Sequence, residues 1–157
     1  MILKDKKILI GVTGSIAIYK TLDLIRIYIK SGAVVRVLMS ESAKKFINPI
    51  TFEAISQNKV LDENSENWDK NSDYNHIDIA KWADILVIAP ASANTINKIS
   101  CGIADNLLLQ TVLACKKKII IAPAANTNMI ENPITIQSIN NLKNLGFEVL
   151  QTQTKEL

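Results

Sequence analysis

Histidine occurs once in the 157 residues, at position 76, and cysteine only twice, as Cys101 and Cys115. One imidazole and two separated thiols make no standard zinc site, so no metal is expected. Two thiols without motif spacing make no disulfide framework either, which points to a reduced, cytoplasmic protein. Charge of one sign is also scarce. The chain has 18 basic and 15 acidic residues, a net +3, and its longest basic run, Lys116 to Lys118, reads as a solvated turn before a strand. That balance argues against nucleic acid as a partner. Apolar runs do not exceed strand length, so no transmembrane helix is expected. The opening MILKDKKILIGVTG is too short and too charged for a signal peptide.

What the chain does have is apolar residues in quantity, 48% of the total, enough for one globular domain with a full core over residues 1–157. They fall into two alternating patterns. Short continuous runs, KILIGV, AVVRVLMS, DILVIAP, KKIIIAP and FEVLQT, predict strands buried on both faces. Between them lie helical stripes. Ile18, Leu22, Ile25 and Ile29 recur at three- and four-residue intervals, with Gly32 as a stop. ESAKKFI and NPITFEAISQN predict two short helices, the second with Pro49 in its first turn. HIDIAKWA predicts one or two turns. The stretch from Ser92 to Cys115 predicts a helix broken near Gly102, and NPITIQSINNLKNLG a last one. A weak strand is expected at Lys59–Leu61 and a loop at Asp62–Asn75. Strand alternating with helix implies an α/β, Rossmann-like, doubly wound parallel sheet flanked by helices. Ligands of such sheets bind at the carboxyl ends of the strands.

Those ends carry the candidate residues. After the first strand stands GVTGS. Gly14 offers either a positive φ or close backbone approach, and Ser15 is expected to open a helix whose free N–H groups suit a phosphate; a plain strand-to-helix turn with a hydroxyl cap fits the same residues. After the second strand, Glu41 reads either as the ribose-binding acid of a nicotinamide site or, preferably, as a first-turn carboxylate behind a Ser40 cap. After the next strand, PASANT supplies small side chains, hydroxyls and an amide, which can lie against a planar polar ligand. IAPAANTNM repeats the pattern with the amides of Asn126 and Asn128, and an amide holds a carboxylate without titrating. A lone histidine is more often structural than catalytic, and His76 stands in no Ser-His-Asp or Cys-His order. The two cysteines lie in helical patterns and read as small buried hydrophobes.

The stretches ILIGVTGSIAIYK, VRVLMSESAKKFINPITFEAIS, HIDIAKWADILVIAPASANTINKISCGIADNLL and IIIAPAANTNMIENPIT together resemble the homo-oligomeric flavin-containing cysteine decarboxylases. They are most similar to the phosphopantothenoylcysteine decarboxylase domain of bifunctional coenzyme A biosynthesis flavoproteins. The resemblance covers nearly the whole chain. It implies an FMN cofactor, with Thr13, Gly14, Ser15 and Ser40 at its phosphate and Phe46 bordering the flavin. Ser92, Ala93, Asn94, Thr95, Asp105 and Asn106 would lie along its isoalloxazine and ribityl parts. It implies a homotrimer or dodecamer with FMN at the subunit interface, and a small substrate with a carboxy-terminal cysteine. His76 would be the active-site base. Asn126 would bind the substrate carboxylate, with Met129 beside it, as in the family's P-x-M-N-x-x-M-W motif. The reaction so implied oxidises the thiol carbon of 4′-phosphopantothenoylcysteine, releases carbon dioxide, and reduces the ene-thiol to 4′-phosphopantetheine.

Three departures are expected to matter. Ala125 and Ile130 replace the first Met and the Trp of that motif, which puts substrate identity in question. A peptidyl-cysteine decarboxylase of the lantibiotic-maturation type therefore stands as an alternative, and a non-catalytic FMN-binding regulatory subunit, as some members of the superfamily are, as another. The chain also stops at TKEL, before the cysteine-bearing flap of the coenzyme A enzymes and before any synthetase domain. The expectation is a truncated form, and without the flap the reaction would halt at the ene-thiol.

Overall fold

A computed structural model describes residues 1–72 and 74–152. Among these residues five parallel strands form one sheet: β1 (Lys7–Val12), β2 (Val34–Met39), β3 (Ile85–Ala91), β4 (Ile119–Pro123) and β5 (Glu148–Val149), in the order β2-β1-β3-β4-β5. Ile10 of β1 sits opposite Val37 of β2 and Val87 of β3. Among the described residues seven helices connect them: α1 (Ile18–Lys30), α2 (Pro49–Ser56), α3 (His76–Trp82), α4 (Ala93–Ser100), α5 (Leu107–Ala114), α6 (Thr127–Glu131) and α7 (Pro133–Asn144), with a 3-10 turn at Ser42–Lys45. None of the described helices is long and apolar enough to cross a membrane.

The pleat explains the continuous apolar runs. Successive side chains point to opposite faces, and both faces are covered. Ile8, Ile10 and Val12 pack on one side with Ile25 of α1 and Phe52 of α2. Leu9 packs on the other with Leu86, Ile88, Ile79 of α3, Ile96 of α4, Leu107 of α5 and Leu142 of α7. The expected doubly wound α/β fold is the one observed.

Local departures have local causes. The strand expected at Lys59–Leu61 is a single parallel bridge between Leu61 and Leu38. The chain then turns away at Asp62, whose N–H donates to Ser65 Oγ at 2.8 Å. β5 is shorter than FEVLQT because this edge is only half covered. The 92–115 segment breaks between α4 and α5, where Gly102 takes φ 72°. The cysteines are not core residues: Cys101 is exposed and Cys115 half-buried, because each terminates a helix rather than lying within one. The Thr154–Leu157 end, where the approach to a flap was expected, lies outside the described residues, as does Asp73 of the 62–75 loop.

Asp84 fastens the start of β3 to β1. Its Oδ2 accepts the Lys7 N–H at 2.8 Å, and its own N–H donates to the Lys7 carbonyl at 2.8 Å. That backbone N–H, helped by neighbouring lysines, lowers the Asp84 pKa below the ordinary carboxylate range. Its contribution to stability is therefore present above the unfolded-state pKa and is lost as pH falls through the lowered folded-state value. Urea unfolding should find Asp84→Asn less stable than the parent near neutrality, with the two curves converging in acid; a gap that persists in acid would refute the assignment.

Candidate active site at the switch between β1 and β3

In the order β2-β1-β3-β4-β5 the connections leave β1 in opposite directions, so a crevice opens at the carboxyl ends of β1 and β3. Thr13 closes the floor of that crevice. Its N–H and Oγ1 both donate to the Pro90 carbonyl, at 3.2 and 2.7 Å, and Oγ1 accepts the Ser92 N–H at 2.9 Å. Thr13 is 1% exposed. Its hydroxyl is thus a strut between the two strand ends rather than a group facing a ligand.

The neighbouring turn is built for close approach. A Cβ on Gly14 would lie 2.7 Å from Ser42 Oγ and 3.2 Å from the Ser42 carbonyl carbon. The glycine is required by packing, not by a positive φ. Ser42 Oγ in turn lies 3.2 Å from Ser40 Oγ, and Ser40 Oγ accepts the Ala43 N–H at 3.3 Å. Ser15 does not open a helix: α1 starts at Ile18, and Ser15 Oγ accepts the Ala17 N–H at 3.2 Å. The result is a cluster of neutral hydroxyls and turn N–H groups where β1 and β2 end. Ser42 belongs to this cluster and was absent from the sequence-derived set. The contact that brings it in spans two strands, and no local pattern reports it.

Glu41 serves the fold. Lys44 Nζ binds Asp62 Oδ2 at 2.8 Å and Glu41 Oε1 at 3.0 Å. The bond to Asp62, then the one to Glu41, hold the Lys44 ammonium above the ordinary lysine range. The Glu41 carboxylate is therefore already matched, which removes the support for a nicotinamide ribose at that position.

Ser92 caps α4, its Oγ accepting the Thr95 N–H at 3.2 Å and donating to Thr95 Oγ1 at 2.9 Å. Ala93 and Thr95 are buried, and Asn94 is exposed. Asp105 pairs with Lys98 at 2.9 Å, and Asn106 caps α5 by accepting the Leu109 N–H at 2.8 Å. Phe46, 50% exposed, follows the 3-10 turn at the same end of the sheet.

Helices of a doubly wound sheet run back against the strands, so the first residues of α3 and α5 also lie toward the carboxyl ends. The 62–75 loop ties both starts together. Glu63 Oε1 accepts the Leu107 N–H, and Glu66 Oε2 lies 2.9 Å from His76 Nδ1. Trp68 meets the His76 ring edge-on with centroids 5.4 Å apart. Asn75 caps α3 by accepting the Ile77 and Asp78 N–H groups, which fixes His76 as the first helical residue. Neither Glu66 nor Trp68 was legible in the sequence, because their stretch has no periodicity.

Beyond β4, the sequence motif forms an unforeseen short helix, α6. Asn126 caps it, with Oδ1 accepting the Asn128 N–H at 2.9 Å. Its Nδ2 donates to no other group among the described residues, and Asn126, Ala125 and Met129 are exposed. Asn126 thus presents two N–H donors outward in a side chain fixed by its oxygen.

Comparison with known proteins agrees with this architecture. The chain matches the Flavoprotein family over residues 2–157. It belongs to that family. It is 44% identical over 154 residues to a probable phosphopantothenoylcysteine decarboxylase of Streptococcus mutans, covering 97% of this chain and 86% of that one. It is 42% identical over 154 residues to the coenzyme A biosynthesis bifunctional protein CoaBC of Haemophilus influenzae, covering 96% of this chain but 37% of the relative. The chain therefore spans little more than a third of the bifunctional relatives it matches. A solved structure of a mutant PPC decarboxylase complexed with pantothenoylaminoethenethiol superposes with a TM-score of 0.87 at 31% identity, covering 98% of this chain and 86% of that one.

Proposed function

We propose that this flavoprotein is an FMN-dependent decarboxylase that converts 4′-phosphopantothenoylcysteine to 4′-phosphopantetheine in the cytoplasm. The observations that carry the proposal are a partly buried imidazole at the start of α3, held by a carboxylate, and an exposed amide just after β4, on a sheet of order 2-1-3-4-5. The 44% identity to a probable phosphopantothenoylcysteine decarboxylase supports it.

The residues fit FMN. Ser15, Ser40 and Ser42 supply hydroxyls, and the turn around Gly14 supplies N–H groups, a neutral donor set suited to a phosphate. Exposed Phe46, Ile16 and Ile50 offer apolar surface for a flat ring or for a neighbouring subunit, which supports a homo-oligomeric assembly. Bound FMN would accept a hydride from the thiol-bearing carbon of the substrate and later return it. The chain's own residues serve the steps up to the ene-thiol, whose reduction also takes up one proton. His76 takes the thiol proton through its imidazole. The carbon–sulfur double bond so formed receives the electron pair when the bond to the carboxylate breaks, and carbon dioxide leaves. Asn126 Nδ2 donates to that carboxylate and holds it in place.

Asn126→Ala removes the two donors but leaves the sheet untouched. It should raise KM about tenfold, the worth of one hydrogen bond to a charged group, with FMN affinity unchanged. An unaltered KM would count against the assignment. The reading as a whole is tested by spectrum and product. The protein purified with FMN should be yellow, and mass spectrometry should find carbon dioxide lost from 4′-phosphopantothenoylcysteine. A colourless protein indifferent to FMN would overturn it. Ala125 and Ile130 favour one second reading, a peptidyl-cysteine decarboxylase, and loss of carbon dioxide only from peptides ending in Cys would establish that instead.

A further inference from the structure

From the 62–75 loop we infer that Glu66 is the positioning residue of His76: it fixes the tautomer and the orientation of the only imidazole in the chain. One carboxylate oxygen makes two contacts. Glu66 Oε2 lies 2.9 Å from His76 Nδ1 and accepts the His76 backbone N–H at 3.2 Å. A carboxylate accepts and does not donate, so in the neutral ring Nδ1 carries the proton and Nε2 is left as the acceptor. Because the same oxygen holds the ring and its own main chain, the side-chain torsions of His76 have little room to turn. Trp68 closes one side of the ring edge-on, and Asn75 fixes the backbone from which the ring projects. Glu66 and His76 are each about three-quarters buried, at 28% and 24% side-chain exposure, so water competes poorly for this contact. The ten-residue separation and the lack of periodicity in the loop hide the pair from any reading of spacing.

The lone histidine makes the tautomer directly measurable, since nitrogen NMR of the ring reports one residue only. The parent protein should show a protonated Nδ1 and a bare Nε2. Glu66→Ala should shift the ring toward the Nε2-protonated form, while Glu66→Gln, whose amide oxygen still accepts, should keep the parent pattern. The kinetic arm rests on the decarboxylase reading. There Glu66→Ala should lower kcat about a hundredfold, inside the 10²–10⁴ that a general base supplies, with KM and FMN affinity unchanged and partial recovery in Glu66→Gln. In a His76→Asn background the same change should add nothing, because the two residues act as one unit. If Glu66→Ala does not fold, Glu66→Met carries the same expectations with a side chain of similar length. An Nε2-protonated parent, a tautomer unmoved by Glu66→Ala, or an equal loss of rate in the His76→Asn background would each overturn the inference. A parent that releases no carbon dioxide from its substrate would overturn the decarboxylase reading instead, and leave the tautomer result to decide this one.

Discussion

His76→Asn should slow carbon dioxide release by about 10² to 10⁴ while leaving the purified protein as yellow as the parent. The two effects separate because the imidazole and the hydroxyl cluster hang on different elements. His76 begins α3 and is gripped by the 62–75 loop, whereas Ser15, Ser40 and Ser42 follow β1 and β2. A general base contributes about 10² to 10⁴ in rate, so the expected fall in kcat lies in that range. Asparagine keeps a polar group of similar reach but takes no proton, so the variant isolates proton transfer from packing. His76 keeps about a quarter of its side chain exposed and is not a core residue, so the melting temperature should move little. Full activity in His76→Asn would remove His76 from the reaction.

Gly14→Val should give a folded protein that has lost its flavin. A Cβ at position 14 would stand 2.7 Å from Ser42 Oγ and 2.8 Å from Ser42 Cβ, and valine adds two methyls in the most crowded direction. The turn after β1 and the turn after β2 must then separate. Each hydroxyl withdrawn from a phosphate costs about 1.5–3 kcal/mol, so FMN affinity should fall by about 10² or more. Fluorescence titration with FMN reads this directly. Changing Ser42 to glycine in the same chain removes the two nearest atoms and should recover part of the affinity. A variant that binds FMN as the parent does would show that the close approach of Gly14 and Ser42 has no part in the site.

These two variants bear on how the site could be read. His76 and Asn126 entered the candidate set through the family resemblance, since a lone histidine reads first as structural and an amide after a buried strand has many uses. Their supports did not enter it. Glu66 is ten residues from His76 across an aperiodic stretch, and Ser42 meets Gly14 only because β1 and β2 lie side by side in register. Thr13 illustrates the converse. The family resemblance implied a place for it at the phosphate, yet its hydroxyl is spent on Pro90 at the end of β3 and Ser92 at the start of α4, both far along the chain. The short α6 was missed because IAPAANTNMI has too few residues for a helical period to emerge.

The order and type of the strands, the helical stripes, the loop at 62–75 and the break near Gly102 follow from the sequence alone. Burial on both faces of a parallel sheet, or on one face of a helix, leaves a periodic trace in the chain. The placement of β3 beside β1, the strut made by Thr13, the meeting of Gly14 with Ser42 and the clasp of Glu66 on His76 were decided only by the tertiary structure. Each joins residues on different elements through one or two polar contacts, and contacts of that kind impose no period on the sequence that makes them.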